Sequence, residues 1–231
     1  MTTQYLDTLI EIDDICRVYR GSFGLGGELS EPDIIEKVKD ILEKIKDPIM
    51  LDIGACTGSY ALLDKLVDVQ IHSFEPVVKT FNVLKKNIKV NNSKTICYNY
   101  AVSNYNGSGV LKTVGHDGAI ALSLVDGIPS FTRKHTIESK IKVVTIDSWC
   151  EDRNIIPDVI KIDVEGGELR VIEGAKKIIE KYTPVILCEY SQENANQFGN
   201  PIEDIIKLLQ MYDIEYLKDN ILCVKKSKWV K

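Results

Sequence analysis

The sequence predicts an α/β domain: a mostly parallel seven-stranded sheet with helices on both faces and one antiparallel strand at the end. Three observations carry that expectation. From residue 49 onward, short apolar runs alternate with segments of helical period, which is the signature of βα units. The last two apolar runs, residues 214–217 and 221–224, flank the polar pair Asp219-Asn220 and read as a hairpin, so one strand must reverse. Between the third and fourth strands a long excursion, residues 103–156, interrupts the alternation.

Residues 1–47 read as a helical extension, or lid, ahead of the main domain at 48–231. Ile34, Ile35, Val38, Ile41, Leu42 and Ile45 recur at the helical period after Ser30-Glu31-Pro32-Asp33, with Ser30 the expected N-cap and Pro32 in the first turn. The glycine-rich stretch from Arg20 to Gly27 follows no strand. It reads as a linker, with a lid over the site as its alternative. Residues 49–53 form the first strand, 59–67 a helix, 70–74 the second strand and 77–89 a helix with Phe81, Leu84 and Ile88 inward. The third strand is 95–100, the fourth 158–162 and the fifth 184–188; helices are expected over 168–179 and 202–211. Within the excursion, 110–114 and 141–146 alternate like strands and predict a β-hairpin insertion that shapes the acceptor pocket.

A chain of 231 residues, 44% hydrophobic and 27% charged, supports one full core. Its net charge of −5 argues against a dedicated nucleic-acid binder, whose basic face would show as a basic balance. The six cysteines never fall in a C-x-x-C spacing, which removes the usual sequence signal for a zinc site or a redox pair. Cys97, Cys188 and Cys223 lie in apolar runs and read as reduced core thiols of a cytoplasmic protein. An acidic amino terminus and the lack of an apolar stretch of spanning length argue against secretion and membrane insertion.

The chemistry concentrates at strand ends. Residues 51–58, LDIGACTG, are an apolar strand that breaks into a loop and opens toward a helix; Gly54 and Gly58 let backbone approach a ligand. A dinucleotide turn needs G-x-G-x-x-G, and here Cys56 takes the middle place. With no pyrophosphate to cradle, a cofactor without phosphates fits better, and Asp52 can hold an ammonium group. S-adenosylmethionine carries such an amine. Glu75 and Pro76 follow the second strand, 23 residues after Asp52, where a carboxylate can accept from a ribose diol; an N-cap is its alternative reading. The fourth strand ends in Lys161-Ile-Asp-Val-Glu-Gly-Gly-Glu168, with three close carboxylates of which Glu165 and Glu168 also suit a helix start. Asp163 should emerge beside Asp52 at the centre of the sheet.

LDIGACTG, SFEP, NYAVSN, VVTIDSW, PDVIKIDVEGGELRVIEGA and PVILCEY together resemble the FkbM family of S-adenosylmethionine-dependent methyltransferases, over about residues 49–190. The resemblance implies a class I methyltransferase, Rossmann-like fold and methyl transfer to a hydroxyl oxygen, on a sugar or glycan precursor or on a polyketide. Carried over by position, Asp52, Gly54, Ala55, Cys56 and Gly58 form the cofactor turn, Glu75 and Pro76 the ribose side, Ala101 and Val102 the adenine side, and Asp163 the methionine end. Cys56 stands where relatives typically have Asn.

An acceptor alcohol must lose its proton, so a nearby base is useful. Asp163, Glu165 and His116 are the expected catalytic groups; His116, Arg133 and His135 are expected on the acceptor side. Each has a plainer reading: cofactor contact for Asp163, helix capping for Glu165, a solvated turn or loop for the others. His72, inside the second strand, reads as structural. No metal is expected, the alternative being Mg²⁺ held by Asp163 and Glu189. An NAD-dependent oxidoreductase and a non-catalytic binding protein are the competing classes. The acceptor is a small molecule, and the amino-terminal amphipathic helices could pair two copies.

Overall fold

The computed structural model describes residues 31–114, 120–122, 136–190 and 201–225. Helix α1 (Pro32–Leu42) precedes β1 (Ile49–Ile53), β2 (Gln70–Phe74) and α2 (Val78–Val90). Then come β3 (Ile96–Tyr98), β4 (Tyr100–Val102), β5 (Gly107–Val114), β6 (Ile120–Leu122), β7 (Thr136–Val144) and α3 (Ile146–Arg153). The chain continues through β8 (Val159–Ile162), α4 (Glu168–Glu173), α5 (Lys176–Tyr182), β9 (Val185–Glu189), α6 (Ile202–Leu208), β10 (Asp213–Leu217) and β11 (Asn220–Val224).

Seven strands form one sheet in the order β10-β11-β9-β8-β1-β2-β3. β1 pairs in parallel with β2 and β8, as do β8 with β9 and β2 with β3. The reversed strand expected from sequence is β11, antiparallel to both neighbours; its hairpin partner β10 takes the edge. The hairpin turn is Lys218-Asp219, one residue earlier than expected, because Asn220 already pairs with Leu217.

Successive strand residues face opposite sides. Met50, Ile71, Val159, Leu187 and Leu222 meet Ile35, Val38 and Leu42 of α1 on one face. Leu51, Ile160, Ile162, Ile186 and Cys188 meet Trp149, Val171, Ile178 and Ile205 on the other. Both faces of the central strands are therefore dry, which is why they read as continuous apolar runs.

Four expectations need correction. Residues 59–67 make turns and a 3₁₀ segment, Leu63–Lys65, in place of a helix. Tyr60, Ala61, Leu62 and Leu63 are all buried, so no single apolar stripe exists for a surface helix to lay on the sheet. The predicted strand 95–100 divides at Asn99, whose Nδ2 donates to the carbonyls of Glu75 at 2.8 Å and Pro76 at 2.9 Å. Beyond it, β4 starts a second sheet, β4-β7-β5-β6, in which the expected hairpin runs from Gly107↔Val143 to Val114↔Thr136. The predicted helix 168–179 breaks at Gly174, where a Cβ would lie 2.2 Å from the Ser103 carbonyl, and α5 restarts under Asp147, which accepts from Lys177 N and Ile178 N. Finally, the N-cap of α1 is Glu31, in a left-handed conformation with no side-chain cap bond; Ser30 lies outside the described residues.

Candidate functional site

β1 is the strand at which the chain changes direction across the sheet: β2 follows on one side and β8 on the other. Ligands of such sheets bind beyond the carboxyl ends of the strands at that point. Register determines what stands there. Asp52 is level with Ser73 and Lys161, and two residues on, Glu75, Gly54, Asp163 and Glu189 emerge from four neighbouring strands. Asn220 continues this row, being paired with Glu189.

On the β2 side, the turn after β1 hangs from Phe74, whose carbonyl accepts from Gly54 N at 2.9 Å and Ala55 N at 3.0 Å. Gly54 has φ 78, and a Cβ there would lie 1.7 Å from the Asp163 carbonyl oxygen, so only glycine lets the two loops close. Gly58, at φ 110, donates to the Ala55 carbonyl and closes the turn. Glu75 is buried, and its carboxylate accepts from Cys56 N at 3.0 Å and Val77 N at 2.8 Å. Burial pushes the Glu75 carboxyl up to about 7 against the pull of those two bonds. Cys56 is exposed at the tip with φ 50.

On the β8 side the organising group is a buried lysine. Lys161 Nζ donates to the Gly54 carbonyl at 3.0 Å and lies 3.1 Å from Asp163 Oδ2 and 3.7 Å from Asp52 Oδ1. Burial works against its ammonium, but Asp163 and Asp52 outweigh it and raise its pKa, so it stays charged. Asp52 is 1% exposed and accepts from Ser73 Oγ at 3.2 Å; the ammonium it faces is that of Lys161. Burial raises its carboxyl, opposed by Lys161 and Ser73. Asp163, its side chain 36% open, is also pushed up by burial, yet Lys161 and a hydrogen bond with Glu189 carry it below its ordinary range. Glu189 goes the other way, to about 9, through burial, the Asp163 charge and that same bond. Their shared bond and mutual charge push the two carboxyls apart, Asp163 toward the ionised form and Glu189 toward the neutral acid.

The remaining expected residues fall into three groups. Glu165 is exposed in a left-handed conformation, and its charge reaches Glu189. Glu168 is buried and accepts from Val164 N and Gly166 N, so it shapes the loop that presents Asp163. Ala101 packs with Leu111, Ile141 and Val143, and Val102 joins the main core, while Pro76 is held through its carbonyl by Asn99. His116, Arg133 and His135 lie outside the described residues. His72 is structural, as expected: it is 2% exposed, bonded to Gln70 and Tyr98, and held near 4 by burial and Arg153.

Sequence reasoning did not single out Lys161, Asn99 or Glu31. A lysine flanked by Ile160 and Ile162 in a strand buried on both faces is the signal that could have found the first. Glu31 accepts from Asn220 Nδ2 at 2.6 Å and lies within the electrostatic reach of Asp163 and Lys161. Among the described residues no group of three or more His, Cys, Asp or Glu is placed to hold a metal, and no helix is long and apolar enough to cross a membrane.

The chain is similar to known methyltransferases in sequence and in fold. A 2-O-methyltransferase, NoeI, of Sinorhizobium fredii is 27% identical over 203 residues, covering 83% of this chain and 82% of its own length. The hexuronic acid methyltransferase AglP of Haloferax volcanii is 26% identical over 182 residues, 78% of this chain and 67% of its own. In fold, the chain is similar to the FkbM methyltransferase of Methylobacillus flagellatus KT, with a TM-score of 0.53 at 17% identity, covering 96% of this chain and 57% of that one. It is also similar to the precorrin-6y C5,15-methyltransferase of Geobacter metallireducens GS-15, with a TM-score of 0.50 at 12% identity over 84% and 86% of the two chains. Residues 52–216 match the methyltransferase FkbM domain, which takes in both sides of the switch point and β9, and the chain belongs to the FkbM methyltransferase family.

Proposed function

We propose that this chain transfers the methyl group of S-adenosylmethionine to a hydroxyl of a sugar-containing small molecule. The observation that carries the reading is the placement of Asp163 at the switch point: a partly open carboxylate 3.1 Å from the buried Lys161 ammonium, on the strand next to that of Glu189. The two curated relatives, named for 2-O-methylation and for a hexuronic acid, support a sugar acceptor.

The residues present fit the donor. Each Glu75 oxygen accepts one backbone N–H, and a carboxylate has about four acceptor positions, so a ribose diol can still be met there. Gly54 to Gly58 would line the cofactor. Asp52, enclosed behind Lys161, supports the turn from beneath, leaving Asp163 as the carboxylate open to a ligand amine or hydroxyl. Bound there, S-adenosylmethionine supplies an electrophilic methyl on a sulfonium. The protein contributes alignment and a proton acceptor: Asp163 takes the hydroxyl proton as the oxygen becomes nucleophilic. The excursion carrying β5 to β7 would shape the acceptor pocket, Glu165 is the second candidate base, and His116, Arg133 and His135 stay candidates for acceptor contacts. The enzyme would work in the cytoplasm, without nucleic acid, and two copies could pair.

A Mg²⁺-assisted variant rests on Asp163 and Glu189, which end adjacent strands; the ion would have to draw Glu189 away from the neutral form toward which it is pushed. Activity lost to chelator and restored by Mg²⁺ would establish it. The main test incubates the protein with methyl-labelled S-adenosylmethionine and a panel of sugars, uronic acids and nucleotide sugars, with polyketide alcohols alongside. Label in a sugar methyl ether, with S-adenosylhomocysteine formed in step, is the expected result. Transfer only to a polyketide alcohol would replace the acceptor class. Calorimetric binding of NAD in place of S-adenosylmethionine, or of neither, would overturn the reaction class.

A further inference from the structure

Lys161 is a charged side chain in a strand whose other residues are apolar, and it is 5% exposed. Enclosing an ammonium is costly unless its donors are met with good geometry, so its partners reveal what it does. A lysine present only to balance charge would need only carboxylates. This one also bonds the Gly54 carbonyl at 3.0 Å, in the turn after β1, while meeting Asp163 Oδ2 at 3.1 Å, in the loop after β8. The two loops are otherwise pressed together at the missing Cβ of Gly54 and by the bond from Asp163 N to the Ile53 carbonyl at 3.0 Å. The Tyr60 ring closes the remaining side, 5.2 Å from Nζ.

We propose that Lys161 is a positioning residue that ties the glycine turn to the reacting carboxylate, its single ammonium fixing the Gly54 carbonyl and Asp163 Oδ2 against each other. The inference rests on the reading of Asp163 as proton acceptor. Around Asp163 stand Glu189 from β9, Glu31 ahead of α1, Asp52 from β1 and Glu168 at the start of α4, with Glu165 acting on Glu189, and Glu75 and Tyr60 acting on Lys161. Among so many acidic groups, Lys161 fixes where Asp163 points relative to the Gly54 carbonyl.

The test uses the free protein with ¹³C-carboxyl-labelled aspartate, comparing wild type with K161M. The Asp163 resonance should titrate about one pH unit higher in K161M, a tenfold change in its acid constant. The Kd for S-adenosylhomocysteine by calorimetry should rise about tenfold, because the turn loses its anchor. Should K161M not fold, D52N/K161M removes both buried partners of that ion pair and carries the same two measurements. An Asp163 midpoint and a Kd both unchanged in a folded variant would overturn the proposal. Wild-type protein that binds S-adenosylhomocysteine yet methylates no acceptor would sink the proposed function instead, while the titration still decides the role of Lys161.

Discussion

The two sides of β1 solve one problem in different ways. On the β2 side the buried carboxylate of Glu75 is met by two backbone N–H groups, with no cation at bonding distance among the described residues, and burial leaves its pKa near 7. On the β8 side Asp163 is met by a buried ammonium and a second carboxyl, and it stays below its ordinary range. Backbone dipoles steady a carboxylate without forcing it to remain charged; a buried lysine does force it. The β2 side is therefore suited to hold a neutral ligand, and the β8 side to keep a base ready.

Removing the proposed base should produce the largest effect. D163N keeps the shape of the site but cannot take a proton, and methyl transfer should fall about 10²- to 10⁴-fold at saturating donor, with S-adenosylhomocysteine affinity changed far less. Equal losses in rate and donor affinity would assign Asp163 to cofactor binding alone. Next comes G54A, which acts on the seam between the sides. Its Cβ would fall 1.7 Å from the Asp163 carbonyl and would have to adopt φ 78, so urea unfolding should show a loss on the order of 2–5 kcal/mol. A fully stable G54A would mean that the loops are not locked together.

Legibility followed the same division. β1 and β2 match the expected bounds because four of the five residues in each are buried, on both faces of the sheet, which leaves little choice of register. Asp52, Glu75 and Asp163 were legible because strand ends in a sheet of this kind are where ligands go. The partners that set their charge were not. Lys161 comes 109 positions after Asp52, and no local period announces that strand pairing brings the two level. The break at Gly174 was hidden for the same reason, since the Ser103 carbonyl that excludes a Cβ arrives from the far excursion. Asn99 reads as one more residue in a strand until its amide is seen holding the Glu75 and Pro76 carbonyls.

A smaller effect distinguishes the β2 side. In E75Q the amide presents only one acceptor oxygen, so one of the two N–H groups faces an NH₂, at a cost of about 1–3 kcal/mol. The pH dependence follows from burial. A carboxyl raised from 4.5 to about 7 in the folded protein binds more protons there than in the unfolded chain across that window. The stability it contributes is therefore present below 4.5 and lost as pH rises through about 7. Urea midpoints at pH 5 and pH 8 should differ less in E75Q than in wild type. Affinity for S-adenosylmethionine should change in the opposite sense, tightening as pH rises through 7, because hydroxyl donors favour the ionised form. Flat affinity in wild type would remove Glu75 from the ribose.

The smallest change concerns the tip of the same turn. Cys56 is exposed at φ 50, a conformation in which Asn is enriched several-fold over most side chains, and its N–H rather than its thiol bonds Glu75. C56N keeps that N–H and relieves the left-handed backbone, so it should stabilise the protein by about 0.5 kcal/mol, or about 1–2 °C in Tm. Calorimetry with S-adenosylhomocysteine separates the backbone contribution from that of the side chain. An unchanged Kd would mean the turn works through its main chain, as on the rest of the β2 side. A tighter Kd would show that an amide at position 56 reaches the ligand, and that this chain does without a contact its fold could make.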